Sequence, residues 1–198
     1  GGFLLAAHAC AARDAEDLTP DQREHLRDHF VSGTELVDGT ARLAAMNMLL
    51  HGIGKPDGDS LVTVGDALTA DPGKRYSVVL ANPPFGRKSS VTMIGADGRE
   101  ARDDLEIVRD DFWVTTANKQ LNFIQHVMTV LKAGGRAAVV VPDNCLFEDK
   151  AAEVMKILVE ECDLHTVLRL PNGTFAPYTG AKTNVLFFTR GESDKGNT

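Results

Sequence analysis

The sequence predicts an α/β fold, a mostly parallel sheet wrapped by crossover helices with an antiparallel last strand. Three observations point there. Helical and extended patterns alternate along the chain instead of segregating. Two runs, Tyr76 to Ala81 (YSVVLA) and Arg136 to Val141 (RAAVVV), are almost continuously apolar, as strands covered on both faces are. The chain has 198 residues, 43% hydrophobic and 25% charged, which fits one ordinary domain with a sizeable core.

The same figures exclude other classes. Disorder, collagen-like repeats and a disulfide framework do not fit this composition, and no period of 20–50 residues recurs. No apolar run approaches the roughly 20 residues of a membrane span, so no membrane partner is expected. The opening GGFLLAAHACAARDA lacks the basic start and cleavage pattern of a signal peptide. Cys10, Cys145 and Cys162 lie far apart and read as reduced thiols of a cytoplasmic protein. With 21 basic against 28 acidic residues, the net charge is −7. Bulk charge alone therefore does not hold nucleic acid tightly.

Each element follows from local signals. Phe3 to about Asp14 reads as a helix, and Pro20 to His29 as another with Thr19 as its N-cap. Phe30 to Leu36 is extended. Asp38 to His51 is helical, capped by Asp38 and stopped by Gly52 and Gly54. Leu61 to Val64 and Tyr76 to Ala81 are strands. Lys119 to Leu131 (KQLNFIQHVMTVL) is an amphipathic helix ending at Gly134 and Gly135, and Arg136 to Val141 is a strand stopped by Pro142. Lys150 to Cys162 is a helix, Leu164 to Leu170 a strand, and Thr183 to Thr189 (TNVLFFT) the antiparallel strand at the sheet's far end. Residues 86–117 have mixed charge and little periodicity, so they are expected to form a mobile, functional loop.

The sharpest chemical signal is Asn82-Pro83-Pro84-Phe85, directly after YSVVLA. Proline lacks an N–H and pushes the preceding residue out of the helical region, so this turn is stiff and extended. It stands at the carboxyl end of a strand, where open α/β sheets place ligands. The Asn82 side-chain oxygen and the Pro83 carbonyl are two acceptors that suit the two N–H bonds of an exocyclic amino group. Phe85 offers a flat face for a planar ring. Read as structure alone, the same four residues are a rigid turn with Phe85 in the core.

NPPF after an apolar strand resembles the catalytic motif of the DNA methyltransferases that methylate adenine N6 or cytosine N4. The wider chain resembles the modification subunit of type I restriction-modification systems. That likeness runs from Gly1 to about Gly191 through GGFLLAA, GTELVDGTARLAAMNMLLHG, GDAL, ANPPFG, KQLNFIQHVM, GGRAAVVVPDNCLF and LRLPNGTFAPYTGAKTNVLFFTRG.

The resemblance implies a Rossmann-like methyltransferase using S-adenosylmethionine, with residues 1–191 as a fragment of the catalytic domain and 192–198 as a tail. Gly1 and Gly2 would be the end of the cofactor motif. Glu35, at a strand end, would take the cofactor's ribose hydroxyls. Asp66 in GDAL would accept from its adenine amine. Pro84 would stiffen the turn in which Asn82, Pro83 and Phe85 receive the target base. Glu35, Asp66 and Asn82 follow successive strands and are expected on one sheet edge. The implied partners are DNA, a specificity subunit, a second modification subunit and a restriction subunit. In a doubly wound fold a Gly-rich helix entry follows the first, central strand, so that strand is expected upstream of Gly1.

Some readings stay open at this point. Each carboxylate is also readable without a ligand: Glu35 as an exposed side chain, Asp66 as a cap or turn former. Phe175 in LPNGTF either closes the far side of a base pocket or packs in the core. Lys182 either meets a phosphate or is solvated. His25 and His29 lack a third ligand, so no metal is expected. A protein-glutamine or RNA methyltransferase and a non-catalytic interaction module are the competing functions.

Overall fold

The computed structural model describes residues 1–85, 90–94, 100–104, 106–147 and 150–191. They fall into two compact units, residues 1–69 and 70–198.

In the first unit, α1 (Gly2–Ala11) leads through a short 3-10 turn into α2 (Pro20–Asp28), β1 (Gly33–Glu35), α3 (Asp38–Leu50) and β2 (Val62–Val64). Thr19 caps α2 as expected. Its hydroxyl accepts from the Gln22 amide at 3.3 Å, and the Gln22 side chain accepts from the Thr19 amide at 2.9 Å, satisfying two otherwise orphaned donors. β1 and β2 are parallel, with Glu35 opposite Val64. A small core of Val31, Ala41, Met48, Ile53 and Val62 packs around them.

The start of α3 departs from expectation. Val37 is its N-cap and Asp38 its first helical residue. Asp38 instead pairs with Arg42 one turn on, at 2.8 Å. The Glu35 carboxylate accepts the Val37 amide at 3.0 Å, and no side chain caps the helix. At the other end, Gly52 and Gly54 take positive φ of 72° and 84°, and the Gly52 and Ile53 amides return to Leu49 and Met48 carbonyls at 3.0 Å. This closes the helix as the glycines predicted.

The second unit contains β3 (Tyr76–Ala81), β4 (Ser90–Ile94), β5 (Glu100–Asp104), α4 (Lys119–Val130), β6 (Leu131–Pro142), α5 (Ala151–Glu161), β7 (Cys162–Arg169) and β8 (Thr183–Arg190). Its main sheet runs β3-β6-β8-β7. β3 and β6 are parallel, and β8 runs antiparallel to both β6 and β7. The carboxyl ends of β3, β6 and β7 therefore share one edge with the start of β8. The core joins this sheet to α4 and α5 through Leu121, Ile124, Val139, Val141, Val154, Leu158, Leu186 and Phe188.

Two expectations are corrected here. The antiparallel strand β8 is not at the sheet's far end: it is inserted between β6 and β7, and β7 forms the edge. The reason is burial, since β8 carries Leu186 and Phe188 at 1% and 0% exposure, whereas Val167 and Leu168 of β7 are about half exposed. Helix α4 stops at Val130, with Leu131 already extended. Gly134 and Gly135 do not stop it; they lie in the irregular part of β6 where the pairing shifts register, from Tyr76 opposite Leu131 to Val78 opposite Arg136. Gly134 has φ 71°, and a Cβ on Gly135 would lie 2.8 Å from the Lys132 carbonyl oxygen.

The stretch 86–117 contains more regular structure than its sequence suggested. Its described parts include the antiparallel β4–β5 ladder and a bridge between Ile107 and Thr116. Residues 86–89, 95–99 and 105 of that loop, and the expected tail 192–198, lie outside the described residues.

Candidate active site

The carboxylates of the first unit stand where two parallel strands end. Glu35 is the last residue of β1 and Asp66 comes two residues after β2. The Gly65 amide donates to the Glu35 carbonyl at 2.9 Å, which holds the two strand ends together. In each case the local turn takes one carboxylate oxygen: Glu35 accepts from the Val37 amide at 3.0 Å and Asp66 from the Leu68 amide at 2.9 Å. A carboxylate has a second oxygen, so each can still accept from a ligand. Exposed Leu36, Val37 and Val64 put apolar surface beside these acceptors. Gly1 caps α1, accepting from the Leu5 amide at 3.1 Å, and a Cβ on it would touch Ala44 of α3 at 3.6 Å. Gly2 opens the helix with no atom within 4 Å of such a Cβ.

In the second unit, Asn82-Pro83-Pro84-Phe85 leaves β3 at the carboxyl edge of the sheet. Asn82 is exposed, Pro83 buried and Phe85 half-buried. Phe175, on the connection from β7 to β8, meets Phe85 edge to face, with ring centroids 5.4 Å apart and planes at 85°. The sequence left Phe175 between base pocket and core; the structure sets it against Phe85, only partly buried. Lys182 is exposed on the same connection.

That connection is pinned at its base. Arg169 grips the Asp143 carboxylate with two hydrogen bonds of 2.9 and 2.7 Å, and the Asn184 amide adds a third at 2.7 Å. The Asp143 amide donates to the Lys182 carbonyl at 2.8 Å. One residue from each of three strand ends thus fixes the segment that carries Phe175.

Sequence reasoning missed three buried amides of α4. Gln120, Asn122 and Gln125 are all buried. Gln120 donates to the Pro84 carbonyl at 3.1 Å. Asn122 donates to the Thr116 carbonyl at 2.8 Å, and Gln125 exchanges two bonds with Val114, at 2.8 and 3.0 Å. Of the three, only Asn122 and Gln125 are at helical i,i+3 spacing inside KQLNFIQHVM, which was the available signal; Gln120 lies on another side of the helix. Close by, burial opposes the charge on Asp111, but Arg109 at 2.6 Å and the Thr129 hydroxyl hold its carboxyl below the usual range.

Other candidates stay outside the site. The His25 and His29 rings lie 6.1 Å apart, tilted at 41°, and the described residues contain no group of three or more potential ligands placed to hold a metal ion. Burial pushes the Cys162 thiol up to about 12, so it is an inert core side chain. Among the described residues no helix is long and apolar enough to cross a membrane.

A sheet with one antiparallel strand inserted beside its last parallel strand, and Asn-Pro-Pro-Phe at a strand's carboxyl end, defines a Rossmann-like α/β fold of methyltransferase type. The chain belongs to the N-6 DNA methylase family, which it matches over residues 1–198. It is 41% identical over 197 residues to the type I restriction enzyme EcoKI methylase subunit of Escherichia coli (strain K12), covering 96% of this chain and 34% of that one. The StySJI methylase subunit of Salmonella typhimurium shows the same identity and coverage. The crystal structure of the EcoKI M protein has a TM-score of 0.78 at 41% identity, covering 96% of this chain and 38% of that one. A chain from a study of complex assembly in the type I R-M system has a TM-score of 0.77 at 32% identity, covering 97% and 36%. This chain therefore spans about a third of the length of the curated relatives it matches.

Proposed function

We propose that this chain is the catalytic part of a type I modification subunit that methylates adenine N6 in DNA, using S-adenosylmethionine. The carrying observation is the exposed Asn82 at the end of β3, with Phe85 and Phe175 meeting beside it. The named type I relatives support DNA as the substrate over a protein glutamine or RNA.

Glu35 would hold the cofactor's ribose hydroxyls and Asp66 its adenine amine, with Gly1 and Gly2 at the entry to α1. The donor set fits: two carboxylates on adjacent strand ends, each with one oxygen left by its turn, beside exposed apolar side chains. When bound, the sulfonium supplies an electrophilic methyl group and a good leaving group. Adenine N6 is out of reach inside a duplex, so the base is flipped out. The Asn82 oxygen and the Pro83 carbonyl accept the two N–H bonds of the amine and orient its nitrogen for attack. As the nitrogen takes the methyl group from the sulfonium, positive charge develops on it, the same two acceptors stabilise that charge, and one N–H proton would then be released to water. Phe85 stacks on the base and Pro84 keeps the turn rigid. DNA recognition and strong DNA affinity would come from the specificity subunit, with a second modification subunit and a restriction subunit completing the complex.

The test is Asn82→Ala in the complete subunit with its partners. Methylation should fall on the order of a hundredfold or more, with S-adenosylmethionine binding nearly unchanged. A wild-type rate overturns the assignment.

A further inference from the structure

We propose that Gln120 is a positioning residue for methyl transfer: its side-chain amide sets the Pro84 carbonyl, and through it the ring of Phe85. The inference rests on the reading of Asn-Pro-Pro-Phe given above.

Proline fixes φ at positions 83 and 84. The soft torsions left in the turn are the ψ angles and the φ of Phe85. The direction of the Pro84 carbonyl is the ψ of Pro84. Whatever holds that oxygen therefore fixes the peptide plane that carries Phe85. Gln120 Nε2 donates to it at 3.1 Å.

The donor is itself held. Gln120 is 5% exposed and lies in the first turn of α4, where the Asn118 side chain caps the helix by accepting the Leu121 amide at 3.1 Å. The next turn of that helix is locked by Asn122 on the Thr116 carbonyl and Gln125 on Val114. The chain thus leaves the catalytic motif from one anchor on α4 and returns to two others on the same helix. A buried amide directed at one carbonyl has a single orientation, which a solvated side chain would not have. The ring it positions meets Phe175 at 5.4 Å, so a shift of the Pro84 plane moves one wall of the base site relative to the other.

The experiment uses the complete modification complex, with Gln120→Met to keep volume and remove the donor, and Gln120→Glu to keep shape. The readouts are kcat, KM for DNA and the Kd of S-adenosylmethionine. An approach geometry lost by about 1 Å costs on the order of a hundredfold, so kcat should fall between about tenfold and a hundredfold. The cofactor Kd should stay within about twofold, and saturating DNA should not restore the rate. Wild-type kcat in a folded Gln120→Met complex overturns the proposal. So does a parallel loss of cofactor affinity, or failure of both variants to fold, since either assigns Gln120 to stability alone. Asn82→Ala runs alongside: if it methylates normally, the reading of the motif fails; if it alone is inactive, only the role of Gln120 fails.

Discussion

Asp28 closes α2 with its side chain buried, with Arg27 on both its oxygens at 2.8 and 2.7 Å and Lys55 at 2.9 Å. The Arg27 hydrogen bonds, joined by Lys55, hold its carboxyl well below the ordinary value of 3.8. A carboxylate with a depressed folded-state value adds stability that is complete above its ordinary value. That contribution is lost as the pH falls through the folded value. Asp28→Asn should therefore lower Tm at pH 7. The gap to wild type should close progressively as the pH drops below 3.8. Thermal unfolding of the complete subunit as a function of pH checks this, and a gap independent of pH from 2 to 7 would contradict it.

At the scale of elements, α4 shows how buried polar groups carry structure. Val114 is 4% exposed, and both its amide and its carbonyl are satisfied by the Gln125 side chain. Gln125→Leu removes both partners and leaves two buried polar groups unmet, which costs roughly 2–6 kcal/mol in all. Gln125→Glu keeps the acceptor but sets a buried carboxylate against the Val114 carbonyl and the Asn122 side-chain oxygen, so its loss should be at least as large. Chemical denaturation of the complete subunit measures both. A loss below about 0.5 kcal/mol for Gln125→Leu would mean water or rearranged backbone replaces the side chain.

This helix also shows where legibility ended. Signals contained within a few residues were readable: the Thr19-Pro20 helix entry, the glycines after α3, the apolar runs of β3 and β6, and the strand-Asn-Pro-Pro-Phe junction. The buried amides of α4 were not, because glutamine and asparagine ordinarily face water and only distant backbone, Pro84 and the returning chain at 114–116, gives them partners. The β4–β5 ladder escaped for a similar reason: SVTMI and EARDD share no alternation, and their pairing is a property of the two together. The placement of β8 was the nearest miss. TNVLFFTR is more apolar than CDLHTVLR, which already favours the interior position for β8 and the edge for β7. Within the candidate site, Asn82, Phe85, Glu35 and Asp66 were readable from motif and strand position, whereas Gln120 and the Arg169–Asp143–Asn184 anchor depend on contacts across 36 and 26 residues or more.

For the molecule as a whole, the decisive feature is the outer side of β3. Among the described residues β3 pairs only with β6, although its sequence is that of a fully covered strand, and Val78 and Leu80 are 49% and 41% exposed. The first unit, taken separately, also shows apolar surface: Leu36, Leu43, Met46 and Leu50 are between 59% and 84% exposed. An unpaired strand edge with apolar side chains is a template for pairing with another chain. A domain's net stability is only about 5–15 kcal/mol, and each unpaired group that becomes buried costs about 1–3 kcal/mol. Residues 1–198 expressed alone are therefore expected to self-associate at micromolar concentration and not to form a stable monomer that binds S-adenosylmethionine. Val78→Lys places a charge on the exposed strand and should raise the monomer fraction. Light scattering coupled to size-exclusion chromatography reads both forms. A monodisperse wild-type monomer that unfolds cooperatively and binds S-adenosylmethionine would show that the β3 edge is stable in water without a partner.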